Sequence, residues 1–189
     1  MHKLYELKKV KKILIATNNP GKFRELKEIL PKKIRYLKPK DFNLNEPVEN
    51  GKTFKENAKI KSVFAAKKSG LICISDDSGL EVDALDKKPG IFSARWAGKT
   101  KNFDIAIKKI FNLLNKIKKL NSKARFICAI SLAFPNGKSF EFQGKVEGKI
   151  SFPARGKKGF GYDPIFIAKG KKITFAPVSY THLTLPTKA

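Results

Sequence analysis

The stretch ISDDSGLEVDAL carries two adjacent carboxylates, Asp76 and Asp77, after the apolar run LICIS. Neighbouring anions repel, so such a pair at a partly buried strand end is costly unless a cation compensates it. Two or three carboxylate oxygens with water are what Mg2+ accepts, and a metal held that way bridges the acids to phosphate oxygens. Glu49, in the polar loop KPKDFNLNEPVENG, is a third acid in reach of this chemistry. The plainer alternative is an Asp-Asp-Ser-Gly turn held by local hydrogen bonds.

A second set of residues suits an anion. TNNPGK (Thr17, Asn18, Asn19, Pro20, Gly21, Lys22) lies between a strand candidate and a helix candidate. Free N–H groups and the positive end of the helix dipole favour phosphate there, and Lys22 adds a point charge. The glycine spacing of a Walker A loop is missing, and an ordinary strand-to-helix turn reads equally well. In GFGYDP, Phe160 and Tyr162 flank Gly161, with Asp163 ready to accept hydrogen bonds. Such a loop can stack a ring on a base and read its edge, or simply supply core aromatics. Arg95 in PGIFSARWAG reads as a surface arginine stacked on Trp96, with a phosphate contact as the alternative. His2 and His182 have no ligand-type neighbour at metal spacing, and no Ser/His/Asp set is present.

These residues need a scaffold. KILIAT is a strand followed at once by NNPG, and Phe23, Leu26, Ile29 and Leu30 share one face of a helix that Pro31 ends. IRYL is a second strand. Thr53 and Glu56 form a capping box for a helix running to about Ser69, with Gly70 as its stop. LICIS is a buried strand with the aspartates at its carboxyl end. A helix from Asn102 to about Leu120 follows, then two strands joined through Asn136-Gly137, a pair that favours a type I′ turn. Alternating strands and helices argue for an α/β sheet with antiparallel strands added late. In such sheets ligands gather outside the carboxyl ends of strands, so if KILIAT and LICIS are neighbours, acids and anion turn meet.

A chain of 189 residues, 41% hydrophobic with 15 phenylalanines, reads as one folded domain over residues 1–189. No run is long enough for a membrane span, and the basic N-terminal extension, residues 1–10, lacks the apolar stretch of a secretory signal. Cys73 and Cys128 sit in apolar runs as small buried side chains, which fits a reducing cytoplasm. The formal charge of +25 favours an anionic partner, but the lysines are scattered along the chain instead of forming one basic tract. A nucleic-acid-binding protein is therefore the rival from a different class; it leaves the acids unexplained.

Taken in order, TNNPGKFREL, ENGKTFKENA, SDDSGLEVDAL, PGIFSARWAG and GFGYDPIF strongly resemble the inosine/xanthosine triphosphate pyrophosphatase family (Ham1-like), over residues 12–176. The resemblance implies an elongated mixed β-sheet with flanking helices forming two lobes around a central cleft, usually in a homodimer. It implies Mg2+-dependent hydrolysis of noncanonical purine nucleoside triphosphates (ITP, dITP, XTP) to the monophosphate and pyrophosphate, a cytoplasmic clean-up of the nucleotide pool. Matched motif by motif, Thr17 to Lys22 hold the triphosphate and Ser78 touches substrate. Glu49 and Asp77 ligate magnesium, with Glu46 the substitute for Glu49, and Asp77 accepts the catalytic proton. Phe160, Gly161, Tyr162 and Asp163 sit against the base. No membrane and no dedicated nucleic-acid partner are expected. A Maf-like pyrophosphatase shares the architecture, but the FGYD loop favours the Ham1-like reading.

The departure comes at the end. The family continues into a helix with a lysine and a Ser-His-Arg motif, whereas here ITFA runs into PVSYTHLTLPTKA, residues 177–189. Pro177 and Pro186 oppose a continuous helix. This tail reads as non-native sequence, His182 takes no family role, and weaker Mg2+-nucleotide binding is the expected consequence.

Overall fold

A computed structural model of the chain describes residues 10–156 and 159–176. Expectations for residues 1–9 and 177–189, including both histidines and the atypical tail, lie outside the described residues. Among the described residues six strands form one sheet in the order β2-β1-β3-β4-β5-β6. They are β1 (Lys12–Ile15), β2 (Arg35–Leu37), β3 (Cys73–Val82), β4 (Lys123–Ala133), β5 (Ser139–Ile150) and β6 (Phe166–Ala168). The β1–β2 and β1–β3 pairs are parallel and β5–β6 is antiparallel, so the sheet is mixed as expected. The strands KILIAT and LICIS are direct neighbours, in register Leu14↔Cys73 and Ile15↔Ile74.

Among the described residues four helices accompany the sheet: α1 (Pro20–Ile29), α2 (Phe54–Ser69), the single turn α3 (Ser93–Trp96) and α4 (Phe103–Lys116). Local chemistry explains their ends. Asn19 caps α1 with Pro20 in its first turn, where a missing N–H costs nothing. Thr53 Oγ1 accepts the Glu56 N–H at 3.1 Å, and Gly70 closes α2 in the left-handed region at φ 69°. Glu56 reaches back one residue further than a capping box predicts, accepting from Lys52 N–H at 2.6 Å.

Three expectations are corrected. α4 stops at Lys116, short of Leu120. The β4–β5 turn is not type I′: Gly137 alone of the Asn-Gly pair has positive φ, at 84°. Pro135 fixes a negative φ ahead of that pair, and Gly137 N–H closes back on Phe134 O at 2.9 Å, so the connection is a type I turn with a glycine bulge. Third, β3 does not end before the aspartates. It runs on to Val82, and Asp76, Asp77 and Ser78 are interior strand residues.

The chain divides into two compact units. One holds the described residues through Asp77 with Ala129–Gln143; the other holds Ser78–Cys128 and the described residues from Gly144 onward. In the first, Leu14, Ala16, Ala65, Ala66, Cys73 and Ala133 form the core. In the second, Leu80, Val82, Ile110, Leu114, Ile150 and Phe166 do so. Phe126 packs edge-on against Phe166 with centroids 4.6 Å apart.

Candidate functional site

The β1–α1 turn presents its backbone donors as the strand-to-helix spacing predicts, and the protein's own oxygens meet them. Asn19 Oδ1 accepts from Gly21 N–H at 2.8 Å and Lys22 N–H at 3.4 Å, while Thr17 Oγ1 accepts from Asn19 N–H at 3.2 Å. Glu46 Oε1 accepts from Asn18 N–H at 3.2 Å. A carboxylate on that amide shows that the turn takes an anionic oxygen.

The two aspartates part company along β3. Successive strand side chains leave on opposite sides of the backbone, and each acid meets a lysine from a different helix. Asp76, 3% exposed, has Oδ2 2.6 Å from Lys22 Nζ of α1. Its Oδ1 is buried with no hydrogen-bond partner. Asp77 Oδ2 accepts from Asn57 Nδ2 at 3.1 Å, and its Oδ1 lies 3.9 Å from Lys61 Nζ, both on α2. Lys61 Nζ also lies 2.6 Å from Glu49 Oε1. Burial pushes the Asp77 carboxyl up to about 6; Lys61 pulls it down, Glu49 pushes it up, and Lys22 and the Asn57 hydrogen bond pull it down.

Lys61 and Asn57 carry this arrangement, and neither is singled out by reading the sequence. The available signal is their phase: Phe54, Asn57, Ala58, Lys61, Ser62 and Ala65 are all on the buried stripe of α2, so three polar side chains, Asn57, Lys61 and Ser62, share it with the apolar residues. Asn57 is fully buried and also accepts the Gly51 N–H at 2.9 Å through Oδ1. Glu46, the alternative to Glu49, is on the Asn18 amide. Among the described residues no group of three or more His, Cys, Asp or Glu is disposed to hold a metal ion.

In the second unit Ser78 is a partly exposed residue of β3. Tyr162 is 1% exposed, and its hydroxyl donates to Ser93 O at 2.9 Å. Phe103 stands edge-on to it at 5.3 Å between centroids. Asp163 is also buried and accepts the Phe160 N–H at 2.9 Å. Gly159 has φ +78°, and a Cβ there would strike the Asp163 carboxylate. Tyr162 and Asp163 thus hold the loop from inside, while Phe160 and Gly161 remain partly exposed. Arg95 stacks on Phe92 at 5.0 Å, not on Trp96, whose ring is covered by Lys109 Nζ at 4.2 Å.

The sequence profile described as the Ham1 family matches residues 13–182. The dITP/XTP pyrophosphatase of Zymomonas mobilis is 44% identical over 169 residues, covering 88% of this chain and 81% of that protein. The dITP/XTP pyrophosphatase of Bartonella quintana is 46% identical over 176 residues, covering 89% and 82%. Among solved structures, a HAM1 protein from Coxiella burnetii superposes with a TM-score of 0.82 at 38% identity, covering 88% of this chain and 86% of that one. The Staphylococcus aureus Ham1 protein gives 0.79 at 40% identity, covering 89% and 87%.

Proposed function

The chain belongs to the Ham1 family, and from that premise we propose that it hydrolyses noncanonical purine nucleoside triphosphates (ITP, dITP, XTP) to the monophosphate and pyrophosphate. It is a hydrolase of acid anhydrides. The observation that carries the reading is the pairing of Glu49 and Asp77 on Lys61, with Lys22 of the residue 17–22 turn bound to Asp76 and its charge also acting on Asp77.

The turn's amides and Lys22 bind phosphate oxygens, taking over from Glu46 and Asn19 as acceptors. Asp77 accepts the proton of the attacking water as the α–β anhydride bond breaks. In the metal-free protein burial raises this carboxyl to about 6, so it is largely ionised at neutral pH and free to accept a proton. Asn57 orients it. The donors also fit Mg2+: they are hard oxygens, Glu49 and Asp77 already share one cation, and Asp76 keeps an unused buried oxygen. In this reading Glu49 and Asp77 hold the ion, which supplies charge neutralisation at the phosphate oxygens. Base contact falls to the partly exposed Phe160 and Gly161, with Tyr162 and Asp163 shaping their loop, and Ser78 touches substrate. A cytoplasmic homodimer completes the reading. Among the described residues no helix is long and apolar enough to cross a membrane.

Pyrophosphate release from ITP, XTP, ATP and GTP, with wild type and Asp77→Asn, tests this. Expected is a preference for ITP and XTP that Asp77→Asn abolishes; turnover of ITP that survives the substitution removes Asp77 as the base.

A further inference from the structure

Lys61 is a lysine only 8% exposed, in mid-helix, with its ammonium on the two acids assigned to the metal. A charge at that depth needs partners, and Glu49 and Asp77 supply them. Asn57, one turn earlier on α2, holds the other Asp77 oxygen. The acids are thus already neutralised in part by a monovalent cation that belongs to the chain.

We propose that Lys61 is the resident counter-cation of the Glu49–Asp77 pair, and that a divalent ion takes those carboxylates only by displacing it. The proposal rests on the metal reading of Glu49 and Asp77. A lysine and a divalent ion cannot share these oxygens cheaply, because like charges a few ångströms apart repel strongly where water is scarce. Lysine suits the exchange: its charge is compact and its four-carbon stem swings without moving the helix. There is also somewhere to go. Lys61 lines a small hollow with Ala16, Leu44, Glu46 and Phe64, in which Glu46 offers the withdrawn ammonium a second carboxylate. Two consequences follow. The empty protein avoids an uncompensated acid pair, and its affinity for divalent ions is held down until something else favours the displaced state.

The test measures Mn2+ binding to nucleotide-free protein by calorimetry for wild type, Lys61→Met, Lys61→Arg and Glu49→Gln. Lys61→Met is expected to tighten Mn2+ by about tenfold or more, Lys61→Arg to stay as weak as wild type, and Glu49→Gln to weaken it. If Glu49→Gln weakens Mn2+ binding but folded Lys61→Met binds no tighter than wild type, the counter-cation role is overturned and the metal site stands. If Glu49→Gln changes nothing, the metal reading fails and takes this proposal with it. A second readout needs no substitution: amine acylation of wild type, mapped by mass spectrometry, should label Lys61 faster at saturating Mn2+. Protection that Mn2+ leaves unchanged overturns the displacement.

Discussion

Lys22 Nζ lies 2.6 Å from Asp76 Oδ2, tying the first turn of α1 to the middle of β3. Because β1 and β3 are parallel neighbours, a helix that starts just after β1 places its third residue beside a β3 residue over fifty positions away in sequence. One ion pair therefore fixes the anion turn against the acid strand.

Removing that cation should be felt in stability. Asp76 is buried, so Lys22→Met strands its charge, at about 2–3 kcal/mol after allowing for the partial exposure of Lys22. Lys22→Met with Asp76→Asn should recover most of the loss. Urea denaturation decides it: a single variant as stable as wild type means the pair contributes nothing.

The Asp77 carboxyl sets a pH dependence with a definite sign. Burial raises it from 3.8 to about 6, so between those values the folded protein binds more protons than the unfolded chain. Stability of the metal-free protein is then full below pH 3.8, falls as pH rises to about 6, and is level above. The shift corresponds to about 3 kcal/mol. Asp77→Asn should gain on wild type in melting temperature at pH 7.5 but not at pH 4. Wild-type activity runs the other way, rising with pH as the base ionises, and does so below about 6 because a bound cation favours the charged carboxylate. Parallel stability curves for the two proteins would exclude the raised pKa.

Asn57 is a positioning residue, and its pH profile separates that role from simple packing. Asn57→Asp replaces the donor to Asp77 with a second anion, which pushes the Asp77 pKa further up. The acid limb of ITP hydrolysis should move up by about one pH unit. A lower rate with an unmoved limb would mean that Asn57 supports only the fold.

In the second unit, Ser93 Oγ accepts the Leu80 N–H at 2.9 Å and donates to Gly90 O at 2.7 Å. A Cβ on Gly79 would enter Ser93 Oγ and come within 2.6 Å of Gly90 O. Gly79→Ala should cost about 2 kcal/mol or more, and Ser93→Ala about 1–2 kcal/mol through the buried Leu80 donor left unpaired. Thermal melting that leaves Gly79→Ala at the wild-type midpoint would contradict this contact.

Much was readable from short stretches of sequence because the causes act within a few residues. Thr53 caps its helix through a side chain that reaches three positions along the chain. The apolar run of β1 and the order of five motifs likewise belong to the chain alone. The Asn136-Gly137 pair departs from a type I′ turn because Pro135, one residue earlier, decides which turn the pair adopts.

What only the tertiary structure decided is which charges meet. Among 41 Lys+Arg, Lys61 is marked locally by its phase on the buried stripe of α2, but nothing in the sequence names its partners. It is selected because α2 lays its buried stripe where Glu49 and Asp77 arrive from elsewhere in the chain. The polar DDS segment looked like the end of a strand for the same reason. Its acids can continue β3 through the interior only because Lys22, Lys61 and Asn57 are brought to them by the fold. Caps and periodicity are properties of neighbours in sequence; charge compensation of a buried acid is a property of neighbours in space.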